Sequence, residues 1–144
     1  MARITVHLHG KPKENTNREL LEMYAQRLGA RGIRLEYHSD KLSTERYMAL
    51  LEKKKGNLIY MDERGEMFDS LQFSKKVHGW NIAVEDTHLA VGPAQGWPVS
   101  SISNKAPRLS LSMMTFPHEL ASVLLVEQLY RATEILRGTA YHKA

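Results

Sequence analysis

The chain has no cysteine among its 144 residues, which excludes a disulfide framework, a thiolate zinc site and catalysis by a thiol nucleophile. That absence suits a reducing cytosol. No segment approaches the ~18 consecutive apolar residues needed to span a bilayer, and the opening MARITVHLHG carries only a short alternating apolar run, so the chain reads as soluble and cytoplasmic. Repeats, low-complexity tracts and linkers are also missing. Acid is in mild deficit: 16 Asp and Glu oppose 20 Lys and Arg, a formal charge of +4 to which seven His can add. The basic residues are spread along the chain rather than gathered into one arm, so charge leaves nucleic-acid binding open. The length fits a single domain, residues 1–144, that buries a core without staples.

What is present alternates between strand and helix patterns. Residues 4–9 and 33–38 alternate apolar and polar, while residues 58–61 and 87–91 are short apolar runs of the kind buried in parallel sheets. Between them, Leu20, Leu21, Tyr24 and Leu28 mark one helical stripe ended by Gly29 and Gly32. Tyr47, Met48 and Leu51 mark a second, ended near Gly56, and Phe68, Leu71 and Val77 a third. Strands alternating with helices predict an α/β fold with a mostly parallel sheet covered on both faces.

The last quarter of the chain, from Leu109 to Lys143, is the most informative. Leu109 and Leu111 alternate with polar neighbours over residues 108–112, a half-buried strand. Thr115 is placed to cap, and Pro117 to open, a helix that runs unbroken to Arg137, with Glu119 suiting its positive end. Leu120, Leu124 and either Ala121 or Leu125 form one stripe, while Val123 and Val126 fill the opposite side. Such a helix is buried on more than one face. It is either the central helix of a monomer or part of a subunit interface, and in a chain this short the second burial is expected from a homodimer partner.

In open parallel sheets, ligands sit beyond the carboxyl ends of the strands. Three loops are expected there, at residues 61–65, 92–96 and 112–115; none is a phosphate-cradling P-loop and no metal-ligand spacing joins them. His7 and His9 share a strand face but have no third ligand in view, so they read as sheet residues and no metal is expected. Lys53, Lys54 and Lys55 read as a solvated helix end before they read as an RNA contact. Trp80 and Trp97 read as packing, with Trp97, next to Gly96, able to border the site. His118 is placed beside the third loop, where packing and function weigh equally. Glu127 and Arg131 are spaced for an i, i+4 ion pair, with Arg131 able to reach a substrate.

The run LSLSMMTFPHELASVLLVEQLYRATEILRGTAYHK, supported by Gly10-Lys11, LEMYAQRL and the turn after residues 58–62, resembles the SPOUT methyltransferases, and within them the ribosomal RNA large-subunit methyltransferase H group. The resemblance covers essentially the whole chain. It implies a knotted α/β fold in which the C-terminal segment threads a loop to form a deep trefoil knot, a topology that sequence rules alone argue against. It also implies a homodimer that uses S-adenosylmethionine to methylate N3 of a pseudouridine in a 23S rRNA hairpin on assembled ribosomes, without metal or membrane. The cofactor contacts carry over to Met61, to Gly92 and Gly96, and to Leu111, Ser112, Met113, Met114, Thr115 and Phe116. His142, Tyr141 and Arg131 become the catalytic candidates, because a cation beside the weakly acidic imide favours its deprotonated form; His142 acts either as base or by positioning RNA. Lys143 keeps a positive charge where many members have Arg. One departure is Pro93, where the family usually has a second adjacent glycine. Proline fixes φ and removes a backbone donor, which leaves a non-catalytic ribosome-binding or assembly factor as the alternative.

Overall fold

The computed structural model describes residues 3–98 and 106–143. Strands β1 (Ile4–His9), β2 (Ile33–His38), β3 (Asn57–Met67), β4 (Thr87–Ala90) and β5 (Arg108–Ser110) form one sheet of order β2-β1-β4-β3-β5, every pairing parallel. Parallel neighbours need crossovers, and helices α1 (Asn15–Gly29), α2 (Thr44–Glu52), α3 (Ser70–Ile82) and α4 (His118–Arg137) stand between or beside them. The alternation in β1 sorts its side chains by face. Ile4, Val6 and Leu8 enter the main core with Leu21 and Leu28 of α1, Val77 of α3 and Leu125 and Leu129 of α4. Thr5, His7 and His9 face the other way, where Tyr47 of α2 lies 5.1 Å from the His9 ring and 5.2 Å from that of His38. Three helices therefore cover one face and α2 the other. Among the described residues no helix is long and apolar enough to cross a membrane.

Several local expectations are corrected. Residues 61–65 are not a loop but an excursion inside β3: Leu109 registers with both Met61 and Glu66, so the residues between them bulge from the ladder. The bulge is folded by Asp62, whose Oδ1 accepts from the Arg64 amide at 2.9 Å. Gly65 is required there, because a Cβ would stand 2.5 Å from the Arg108 carbonyl carbon and 2.6 Å from the Leu109 nitrogen. Strand β5 stops at Ser110, where the Ser110 hydroxyl donates to the Ser112 carbonyl at 2.8 Å and the Met114 amide donates to Ser112 Oγ at 3.1 Å, local bonds that replace the ladder. Phe68 lies ahead of α3 because Asp69 starts that helix through a capping box with Gln72.

Thr115 does not cap α4. Pro117 occupies the N-cap position, and the Thr115 hydroxyl donates to the Glu63 carboxylate. Glu119 serves a different helix from its own, accepting from the amides of Lys13 at 2.9 Å and Glu14 at 3.4 Å and from the Asn17 amide group at 3.2 Å. It thereby supplies the cap that the N-cap residue of α1, Glu14, lacks. At its far end α4 closes on Gly138 in the left-handed region, φ 72°. Of the stripes expected on α4, Val123, Leu125 and Val126 are buried, but Leu124 is half-buried and Leu120 stays 39% exposed. One chain does not surround this helix.

Candidate active site

The bulge of β3 and the carboxyl ends of β4 and β5 open into a cleft of about 430 Å³, within the usual range for small-molecule sites. Met61 and the β3 bulge form one wall, residues 91–97 a second, and Leu109, Leu111, Ser112, Met114, Thr115 and Phe116 a third, with His118 and Ala121 of α4 closing the end. Eight of the nine cofactor contacts expected from sequence line this cleft: Met61, Gly92, Gly96, Leu111, Ser112, Met114, Thr115 and Phe116. Met113 does not; it is 81% exposed.

The second wall is built on Trp97. Its indole N–H donates to the Met61 carbonyl at 2.9 Å, its ring stacks on Tyr47 with 5.6 Å between centroids, and Tyr60 meets it edge-on at 4.9 Å. Tyr47 in turn donates to the Val91 carbonyl at 2.8 Å. One buried aromatic cluster thus ties α2, the end of β3 and the segment after β4 together. Gly92 lets the indole approach, since a Cβ would lie 3.0 Å from its nitrogen. The loop turns through Pro93, whose carbonyl accepts from the Gly96 amide at 2.8 Å, and Gly96 takes φ 77°, a conformation that favours glycine. Gln95 anchors the loop on Thr44 Oγ1 at 3.0 Å.

Asp62 and Arg64 pair within the β3 bulge, while the Glu63 carboxylate accepts from the Thr115 hydroxyl. Arg64 forks onto Asp62, Nε to Oδ1 at 2.9 Å and Nη2 to Oδ2 at 2.6 Å, and that hydrogen bonding holds the Asp62 carboxyl below its ordinary range. Burial pushes the His118 imidazole below its usual value, which favours the neutral ring.

The three catalytic candidates cluster elsewhere. Arg131 Nη2 donates to Glu127 Oε2 at 2.7 Å and Tyr141 donates to the same oxygen at 2.9 Å. Arg131 also lies 5.1 Å from the Tyr141 ring centre and pairs with His142 Nδ1 at 3.1 Å. A guanidinium has no acceptor, so His142 Nδ1 accepts and the neutral ring carries its proton on Nε2. The expected Glu127–Arg131 pair is present. This cluster sits near the C-terminal end of α4, whereas the cleft reaches only its N-terminal turn at His118 and Ala121. From Ala121, the last helical residue that lines the cleft, to Arg131 is 10 residues of helix, about 15 Å at the standard rise.

Sequence reasoning missed Trp97 as the organiser of the second wall and Gly65 as the hinge of the first. The adjacency of Trp97 to Gly96 was the available signal for the former; nothing local announced the latter. Trp80 packs edge-on against Phe73 at 5.9 Å, away from the cleft, as expected.

Comparison with known proteins places this architecture. A family model described as predicted SPOUT methyltransferase matches residues 2–142. The ribosomal RNA large subunit methyltransferase H of Rhodopseudomonas palustris (strain BisA53) is 36% identical over 163 aligned positions, covering 99% of each chain. That of Prochlorococcus marinus (strain NATL2A) is 38% identical over 138, covering 93% of this chain and 91% of the relative. Among solved structures, a probable methylase family protein from Haemophilus influenzae Rd KW20 superposes with a TM-score of 0.59 at 13% identity, covering 99% of this chain and 71% of that one. TrmJ from Z. mobilis ZM4 gives 0.54 at 9% identity, covering 100% and 72%. The two structures share the fold.

Proposed function

The chain belongs to the SPOUT methyltransferase family, and on that premise we propose that it is an S-adenosylmethionine-dependent rRNA methyltransferase, acting as a cytoplasmic homodimer on N3 of a pseudouridine in a 23S rRNA hairpin of assembled ribosomes. The curated relatives bear a ribosomal RNA methyltransferase name over nearly their whole length, and the C-terminal trefoil knot belongs to the same reading.

The cleft fits the cofactor. Its lining combines the apolar walls of Val91, Leu109, Leu111 and Phe116 with the backbone of residues 92–96 and 111–116, the mixture of apolar surface and amide groups that an adenine and a short aliphatic chain need. When bound, S-adenosylmethionine supplies a methyl group on a sulfonium. The residues named above would hold it, and Pro93 removes one donor while presetting the turn that Gly96 closes.

The observation that carries the mechanism is the separation of the two clusters. Methyl transfer needs alignment of donor and acceptor and removal of the acceptor proton, yet Arg131, on which Tyr141 and His142 gather, stands about 15 Å along α4 from its own cleft. A homodimer resolves this if each subunit's tail meets its partner's cleft. Leu120, Met113 and Met114, 39%, 81% and 74% exposed, leave the apolar surface at that end of α4 that a second copy would cover. Within the assembled site Arg131 would favour the deprotonated imide by charge, its proton passing to water, and His142 offers Nε2–H as a donor, so the geometry supports positioning over general-base action.

The test is transfer of labelled methyl from S-adenosylmethionine to purified ribosomes, with mass spectrometry of the 23S rRNA. A methylated pseudouridine, lost with His142→Ala, is expected. Ribosome binding without transfer would instead favour the assembly-factor alternative that Pro93 raises.

A further inference from the structure

The α2-facing side of the sheet holds a second cluster of chemistry-bearing groups, outside the cleft. His7 is fully buried, and three neighbours converge on it: His88 Nδ1 lies 2.8 Å from His7 Nε2, His38 Nε2 lies 2.9 Å from His7 Nδ1, and Glu36 Oε2 lies 3.4 Å from the same Nδ1. Register explains the convergence, since Glu36 pairs with His7 and His38 with His9 across β1 and β2. The proton order is set from one end. His88 Nε2 lies 3.0 Å from the Lys55 carbonyl, which only accepts, so His88 carries its proton there and its Nδ1 is bare. His7 must then donate from Nε2, which leaves His7 Nδ1 bare as well. That lone pair faces Glu36 Oε2, a buried oxygen with no hydrogen-bond partner among the described residues; the other oxygen, Oε1, is held by Lys54 at 3.4 Å. Two lone pairs therefore converge on a point served by a single proton, that of His38 Nε2.

We propose that His7 Nδ1, Glu36 Oε2 and His38 Nε2 form a binding site for one divalent zinc-class ion. These three ligand atoms lie within 4.8 Å of one another. In a tetrahedral set with bonds of ~2.0–2.1 Å, ligand atoms stand roughly 3.3 Å apart, so the 3.4 Å pair already fits and the 2.9 Å pair opens by a few tenths of an ångström. His38 moves its proton from Nε2 to Nδ1 as it ligates, with no change in its charge. Two imidazoles and one carboxylate select Zn²⁺ and its late first-row neighbours over Mg²⁺ or Ca²⁺. His88 is the outer partner that fixes the tautomer and orientation of His7, and Glu36 and His38, both partly exposed, give a hydrated ion access. The ion clips the edge strand β2 to β1. Spacing along β1 does not reveal this set, because β2 supplies two of its three ligands and His9 supplies none.

The experiment uses the full chain made without a histidine tag and stripped with EDTA, titrated with Zn²⁺ by calorimetry and with Co²⁺ by visible absorption. The expected result is one high-affinity ion per chain and tetrahedral Co²⁺ bands that Zn²⁺ displaces. Glu36→Gln and His38→Gln, at partly exposed positions and checked for folding by circular dichroism, should each weaken binding at least about 100-fold, and His88→Ala about 10- to 100-fold. His9→Gln, whose ring engages the Leu42 carbonyl instead, should bind as the parent does. No binding at hundreds of micromolar Zn²⁺, or affinity unchanged in both Glu36→Gln and His38→Gln, overturns the proposal.

Discussion

Trp97→Phe is the most informative single perturbation of the cleft. The indole N–H to the Met61 carbonyl, 2.9 Å long and buried, is worth about 1 kcal/mol net. Removing the fused ring at a site 8% exposed, between Tyr47 and Tyr60, forfeits contacts and leaves a void worth roughly a further 1–2 kcal/mol, a fraction of the ~3–5 kcal/mol of a Trp→Ala change. The expected loss is therefore about 2–3 kcal/mol. It should appear in urea unfolding followed by far-ultraviolet circular dichroism as a lower midpoint with an unchanged slope, at matched protein concentration because the proposed dimer would add to stability. Trp80→Phe, away from the cleft, is the control and should lose under about 1 kcal/mol. A loss below about 0.5 kcal/mol for Trp97→Phe would refute the claim that this ring holds β3 to the loop.

Three further outcomes are expected. Mixing inactive Leu111→Glu and His142→Ala proteins should restore about a quarter of parental activity, because random re-pairing gives half heterodimers with one intact composite site each; no recovery contradicts a site shared between subunits. Gly65→Ala should cost about 2–4 kcal/mol in denaturant unfolding, since its Cβ collides with the Arg108 and Leu109 backbone, and a neutral change would show that the β3 bulge gives way freely. Burial holds His7 at about 3, below its ordinary 6.5. The unfolded chain then binds more protons between those values, so stability is full above pH 6.5 and falls on acidification, by about 2 kcal/mol between pH 6.5 and pH 5. Measured in EDTA, a flat profile over that interval is the contrary result. Glu134, held at about 2 against an ordinary 4.5 mainly by the Thr139 hydroxyl, adds its loss only below that window.

The parallel sheet and its four helices were legible because each element carries its own period: alternation in residues 4–9, a helical stripe through Leu21 and Leu28. Failures occur where a partner distant in sequence decides. β3 runs past residue 61 because β5 resumes pairing with it at Glu66, information that no window around Asp62 contains. Glu119 caps α1 across more than a hundred residues, and Thr115 is drawn from its capping role by Glu63. The candidate site divides likewise. The loops after β4 and β5 follow from the topology and the individual contacts from the family resemblance, whereas the distance from the cleft to Arg131, Tyr141 and His142 depends on the straight length of α4. Met113 lies outside the cleft because it stands in a turn closed by the Met114 amide donating to the Ser112 hydroxyl.

Calorimetric titration of the purified protein with S-adenosylmethionine and with S-adenosylhomocysteine tests most directly whether the cleft between the β3 bulge and the ends of β4 and β5 binds the cofactor. Saturable micromolar binding of one molecule per cleft, abolished by Leu111→Glu in a folded protein, is the predicted result. No detectable heat at several temperatures from the folded parent protein would contradict it.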